Sequence, residues 1–227
     1  MMPAVTRALL LDSLGTLVRL EPPAPRLRAE LAGLGFEVDE AIAERAMAAE
    51  IAYYVEHHTE GRDQSTLAEL RNRCAAVLSD ELGIPGLPVP QAREALLAAL
   101  RFEPFPDAAP ALRELRARGL RLVVASNWDC SLPEVLERTG LAPLVDAVVT
   151  SAEAGARKPD PALFEVALAA AGCAASEALH AGDSLENDVA GASAAGIRPV
   201  LVDRGGELRA PAGVPVVTGL EGLAALT

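Results

Sequence analysis

Lysine is almost absent from this chain: among 20 Lys and Arg residues there is one lysine, Lys158. Arginine serves wherever a generic surface cation is needed. A compact ammonium and a planar guanidinium are not interchangeable in a tight anionic site. The lone lysine, in Gly155-Ala156-Arg157-Lys158-Pro159-Asp160, is therefore a candidate functional residue. Aromatic residues are also scarce, at 3% against 51% hydrophobic content, so the core must be built from Ala, Leu and Val. Cysteine is limited to Cys74, Cys130 and Cys173, an odd number with no close pair. That argues against a disulfide framework and a zinc site. No apolar run approaches the roughly 18 residues of a membrane span. The stretch Met1 to Asp12 has no signal-peptide layout, and a cytoplasmic location is expected. Positive charge is short overall: net charge is −12 and the pI is about 4.7. This argues against nucleic acid or an anionic membrane as the main partner. A small anionic substrate remains compatible, because a metal ion and a few cations can reverse the field inside a pocket.

What is present is an alternation of short apolar runs and helical patterns, interrupted once. Ala8 to Leu11 reads as a buried strand ending at Asp12, followed by the turn signal Gly15-Thr16. From Arg19 to Phe102 the pattern is helical, over Pro25 to Leu34, Asp39 to His58, Ser65 to Leu82 and Pro90 to Leu100. Alternation then begins. A helix at Ala108 to Arg118 ends at Gly119 and leads to a strand at Leu120 to Ala125. Ser131-Leu132-Pro133-Glu134 resembles a capping box. Further strands are expected at Ala147 to Thr150, Ala178 to Ala181 and Pro199 to Val202, with an edge strand at Val214 to Val217. Helices at Pro161 to Ala171 and Glu186 to Ala195 separate them. The order predicts an α/β fold with a Rossmann-like, doubly wound parallel sheet. The expected core is 1–18 with 104–227, and 19–103 an inserted all-helical domain.

Ligands in such sheets bind beyond the carboxyl ends of the strands. Polar segments fall at four of those ends: Asp12-Ser13-Leu14-Gly15-Thr16, Ser126-Asn127-Trp128-Asp129, Lys158, and Gly182-Asp183-Ser184-Leu185-Glu186-Asn187-Asp188. The set suits phosphoryl transfer. Asp12 is the candidate nucleophile, forming an aspartyl phosphate. Asp12 and Asp183 offer hard oxygen ligands for Mg²⁺. The Ser126 hydroxyl and the Asn127 backbone or amide are candidate donors to the phosphoryl oxygens. Lys158 would neutralise phosphate and nucleophile, with Asp188 holding Lys158 or the metal's waters.

These segments, in this order, resemble the haloacid dehalogenase superfamily. Its pattern is an apolar strand ending in Asp-x-Asp-Gly-Thr, a Ser or Thr after the second strand, a Lys, and Gly-Asp-x-x-x-Asp. Asp12 with Gly15-Thr16, Ser126-Asn127, Lys158-Pro159-Asp160 and Gly182-Asp183 with Asp188 carry the resemblance over nearly the whole chain. It implies a Rossmann-like core, a helical cap inserted after the first motif, and Mg²⁺-dependent hydrolysis of a small phosphorylated metabolite. It also implies that the backbone carbonyl at position 14 serves the metal. Separately, a monomer or homodimer is expected.

One position departs. The family's phosphatases carry a second Asp as general acid and base two residues after the nucleophile, where this chain has Leu14. A leucine transfers no proton, and losing a positioned acid/base costs about 10²–10⁴-fold. Four readings follow: slow ester hydrolysis or a proton carrier elsewhere, such as Asp129 or a cap residue; substrates with good leaving groups; a 2-haloacid dehalogenase; or a catalytically impaired ligand-binding or regulatory relative. The phosphonate-cleaving branch needs a cap lysine and is excluded. Outside the motifs, His57-His58 reads as a solvated helix end, Tyr53-Tyr54 as helix packing and His180 as a hydrogen-bonded structural histidine. Trp128 could equally line a pocket or pack. Asp160 reads as a helix cap.

Overall fold

The computed structural model describes residues 5–227. The first four residues, which begin both the stretch read for a signal layout and the segment 1–18, lie outside the described residues. The chain divides into two compact units, Met1–Arg19 with Pro104–Thr227, and Leu20–Glu103.

The first unit is built on a six-stranded sheet. Strand β1 is Ala8–Leu11, and every one of its residues is buried. A short β2, Val18–Leu20, leads to the second unit, and β3, Phe102–Pro104, leads back and pairs with β2. Neither was signalled by the sequence: each has three residues, and one ends in proline, which donates nothing to a ladder. Beyond them come α5 (Ala108–Ala117), β4 (Arg121–Ser126), α6 (Leu132–Arg138), β5 (Ala147–Thr150), α7 (Ser151–Ala154), α8 (Pro161–Ala171) and β6 (Ala178–Gly182). The second unit supplies α1 (Pro23–Gly33), α2 (Glu40–His57), α3 (Gln64–Leu82) and α4 (Val89–Ala99). The chain closes with α9 (Gly191–Ala194), β7 (Arg198–Val202) and β8 (Val216–Val217).

The sheet order is β5-β4-β1-β6-β7-β8, with every pairing parallel. From β1 the chain builds outward through β4 and β5, then crosses to build β6, β7 and β8 on the other side. The order therefore reverses between β1 and β6, where doubly wound sheets open a crevice at their carboxyl ends. Ala8, Leu10, Val123 and Ala125 pack with Leu163, Phe164, Ala167 and Ala171 of α8 in one buried cluster. Small and aliphatic side chains let that helix lie close to the strands.

In the second unit, Leu27, Leu31, Met47, Leu70, Leu78 and Leu96 form the centre of a separate core, with Tyr53 and Tyr54 packed on its margin. No helix among the described residues is long and apolar enough to cross a membrane.

Three local expectations are corrected. Ser131 precedes α6, but its side chain makes no cap hydrogen bond. Its backbone is already helical, with φ −89° and ψ −5°, and its N–H is taken by Asp129 Oδ1 at 2.7 Å. The helix expected at Glu186 to Ala195 is instead a π-helical turn, Leu185–Ala190, running into α9. His57 and His58 do not both sit on a solvated end. His57 Nδ1 lies 2.8 Å from Glu60, whereas His58 is 3% exposed with Nδ1 2.9 Å from the Val55 carbonyl oxygen. A 3₁₀ turn after α2 changes the direction of His58.

Candidate active site

Each strand that lines the crevice ends on a site residue because its apolar run stops there. Asp12 follows β1, Ser126 ends β4, and Asp183 follows β6. Asp12 N–H continues the ladder into the Ala181 carbonyl at 2.9 Å, which fixes Asp12 beside β6. The turn after it needs Gly15, whose φ is +81° and whose missing Cβ would overlap the Asp183 carboxylate. Gly182 meets a similar demand, since a Cβ there would overlap Asp188. The two glycines thus let the carboxylates of the first and last motifs approach.

Lys158 is 2% exposed and lies between two of those carboxylates. Its Nζ donates to Asp12 Oδ1 and to Asp188 Oδ1, each at 2.6 Å. Ser126 Oγ donates to Asp12 Oδ1 at 3.0 Å. Both side-chain donors to Asp12 end on Oδ1, and Oδ2 is the oxygen they leave. Asn127 is spent on the lysine loop: its Nδ2 donates to the Lys158 carbonyl at 3.0 Å, and its Oδ1 accepts from Lys158 N–H at 2.8 Å. Of the two donors considered for Asn127, its amide is committed and its backbone N–H remains. Leu14 lies in the turn after Asp12 and is 44% exposed.

Asp188 accepts from three sides. Besides Lys158, His180 Nε2 lies 2.8 Å from Oδ1, and Ser184 N–H donates to Oδ2 at 2.9 Å. The sequence showed His180 only as a histidine inside a strand. Neither its partner nor its place in the site had a sequence signal, because the π-helical turn is what folds Asp188 back over β6. Asp129 serves as a turn acceptor for Ser131 N–H. Asp160 caps α8 by accepting from Ala162 N–H at 2.9 Å, as expected. Trp128 is buried, 5% exposed, with its backbone N–H donating to Ser151 Oγ.

The electrostatics follow from burial and this pairing. Burial pushes the Asp12 carboxyl up, aided by the Asp188 charge and opposed by Lys158. For Asp188, burial also favours the neutral form, but Lys158 and His180 outweigh it and hold the carboxyl well below the usual range. Burial alone would depress Lys158. Asp12 and Asp188 together reverse that and keep the ammonium charged. Asp183 has no such cation of its own. Burial, then the charges of Asp12 and Asp188, raise its carboxyl to about 6.

Oxygens of Asp12, Asp183 and Asp188 lie within 4.8 Å of one another. Three carboxylates with one lysine leave an excess of negative charge. The hard oxygen donors suit a divalent cation of the Mg²⁺ type. Because Asp188 already accepts three hydrogen bonds, Asp12 and Asp183 carry the better-placed free oxygens.

A doubly wound α/β sheet with a buried carboxylate–lysine centre at its switch point defines an enzyme of the Rossmann-like class. The particular family follows from comparison. The haloacid dehalogenase-like hydrolase model matches residues 6–196, and the chain belongs to that family of hydrolases. It is 45% identical over 106 residues to a phosphoserine phosphatase from Thermus thermophilus, a stretch covering 46% of this chain and 43% of that protein. It is 42% identical over 99 residues to a ribulose-1,5-bisphosphate 5-phosphatase from Halopiger xanaduensis, covering 43% and 41%. The chain thus spans under half the length of these curated relatives. In fold it is similar to an L-2-haloacid dehalogenase from Xanthobacter autotrophicus, with a TM-score of 0.73 and 23% identity over 98% of both chains. At that identity the likeness concerns the fold.

Proposed function

We propose that this hydrolase cleaves the phosphate of a small phosphorylated metabolite through an aspartyl phosphate on Asp12, with Mg²⁺ as cofactor. The observation that carries this reading is Lys158 Nζ, buried and shared at 2.6 Å between Asp12 and Asp188. A nucleophilic carboxylate must approach an anionic phosphoryl group, and a charge-assisted lysine beside it offsets that repulsion. The phosphatase names of relatives 42% and 45% identical support the same chemistry.

The chain's own residues divide the work. Ser126 and Lys158 orient the Asp12 carboxylate through Oδ1. One carboxylate oxygen forms a bond to phosphorus as the bond from phosphorus to the leaving oxygen breaks, which leaves the other for the metal. Water then attacks the aspartyl phosphate, releasing inorganic phosphate and restoring Asp12. Ser126 Oγ, Asn127 N–H and Lys158 Nζ are placed to bind phosphoryl oxygens in this reading. Asp12, Asp183 and the Leu14 backbone carbonyl would hold Mg²⁺, which supplies charge neutralisation of the phosphoryl group when bound.

Leu14 shapes the substrate class. With a leucine where a proton donor would stand, the leaving oxygen must depart as a stable anion. Acyl and aryl phosphates meet that condition, and alkyl phosphates do not. In this reading the side chains that select the substrate belong to the helical segment 19–103.

The test is release of phosphate from an aryl phosphate, with and without Mg²⁺, by the parent protein and Asp12→Asn. Mg²⁺-dependent release that disappears in Asp12→Asn is expected. Equal release by the two proteins would overturn the reading, and halide release from 2-chloropropionate would then identify a dehalogenase.

A further inference from the structure

His180 takes no part in the chemistry above, yet it is wholly buried within hydrogen-bond distance of the centre. Its Nε2 lies 2.8 Å from Asp188 Oδ1, the same oxygen that accepts from Lys158 Nζ at 2.6 Å. The ring stands edge-on to Phe164 of α8, with centroids 5.0 Å apart and planes at 86°. The other ring nitrogen, Nδ1, is buried with no hydrogen-bond partner.

These contacts fix the tautomer. An ionised carboxylate only accepts, so Nε2 must carry the proton. The ring thus donates to Asp188 through Nε2–H. Phe164 limits its rotation, and β6 fixes its backbone through the register His180 to Leu10 of β1.

Asp188 reaches Lys158 from the π-helical turn, a segment with irregular backbone bonding. Besides Lys158, two groups hold that carboxylate: Ser184 N–H on Oδ2 and His180 Nε2–H on Oδ1. Only the latter is a side chain, and only it grips the oxygen shared with the lysine. From this geometry we infer that His180 is a positioning residue: it orients Asp188, and Asp188 sets Lys158 against Asp12. The catalytic part of the inference rests on the phosphatase reading, whereas the positioning of Lys158 can be measured without it.

The single lysine makes that measurement direct. Protein labelled with ¹³C and ¹⁵N in lysine side chains gives one Lys Cε–Nζ signal, belonging to Lys158. Two variants differ only in reach. The amide of His180→Gln ends near the position of Nε2 and can donate to Asp188. The amide of His180→Asn ends near Nδ1 and cannot. His180→Gln should leave the lysine signal near its parent position, and His180→Asn should move or broaden it. On an aryl phosphate, His180→Asn should lower kcat about 10-fold or more with KM within about twofold, and His180→Gln should recover most of that loss.

If the lysine signal is unchanged in a folded His180→Asn, or both variants move it equally, the inference is overturned. His180→Leu provides the same contrast should the Asn variant fail to fold. If the signal responds as expected while no turnover depends on Asp12, the phosphatase reading falls and the positioning role stands.

Discussion

Leu14 and Lys158 show how much a single position decides. Leu14 sits in the turn two residues beyond Asp12 and exposes its side chain, so a carboxylate placed there keeps its hydration and costs little stability. Leu14→Asp should therefore fold normally and supply a proton donor beside the leaving oxygen. Its kcat/KM on an alkyl phosphate should rise on the order of 10²-fold, with little change on an aryl phosphate. The ratio of the two substrates measured in parallel is the readout, and an unchanged ratio would show that another group already donates the proton. Lys158 was legible in the sequence because the chain has no other lysine. Asp12, Ser126 and Asp183 were legible because each sits where an apolar run stops. The role of His180 was not, since a histidine within a strand carries no mark of which carboxylate will fold back onto it.

At the scale of elements, the helical unit has a buried carboxylate of its own. Glu50 of α2 is 3% exposed, and burial raises its carboxyl to about 7, against a small opposing contribution from a hydrogen bond with Cys74. Below the ordinary value of 4.5 the group is neutral folded and unfolded, so burial carries no ionic penalty. Between there and about 7 the unfolded chain releases a proton that the folded chain keeps, and stability falls as pH rises. Above that window the loss is complete, on the order of 3 kcal/mol at most. Glu50→Gln should accordingly raise the thermal midpoint of the helical signal at pH 8 and have little effect near pH 4.5. A constant difference at both pH values would point to packing instead.

Elements also show where sequence patterns fall short. The helix read from Ser65 begins at Gln64, because Asp63 captures the N–H groups of Ser65 and Thr66 and forms a capping box with Thr66. The apparent box at Ser131 fails because Asp129 competes for the local donor. Spacing alone cannot rank two acceptors that lie so close in sequence. The long strands and helices were legible from periodicity, whereas β2, β3 and the π-helical turn depend on pairing or on a side chain folding back.

For the whole molecule, the division into two units predicts where ligand binding is felt. The Asp12 and Asp183 oxygens belong to Met1–Arg19 and Pro104–Thr227, and none of the three clustered carboxylates comes from Leu20–Glu103. With net charge −12 and several carboxylates crowded around one lysine, a divalent cation bound there would relieve repulsion in the folded state that the unfolded chain does not have. A ligand that binds only the folded state stabilises it by about 2.7 kcal/mol at a hundred times its Kd. Because each unit has its own buried cluster, that gain should be confined to the one holding the ligands. Hydrogen exchange of the full chain, with Mg²⁺ and with chelator, is the measurement. Protection should rise in β1, β6 and the turn at Leu185–Ala190, and stay level in α1 to α4. A uniform rise would mean that the units unfold together, and no rise would remove Mg²⁺ from the proposed chemistry. Asp183→Asn separates those causes, because losing the one carboxylate in the cluster without a lysine should abolish the response and leave exchange without Mg²⁺ almost unchanged.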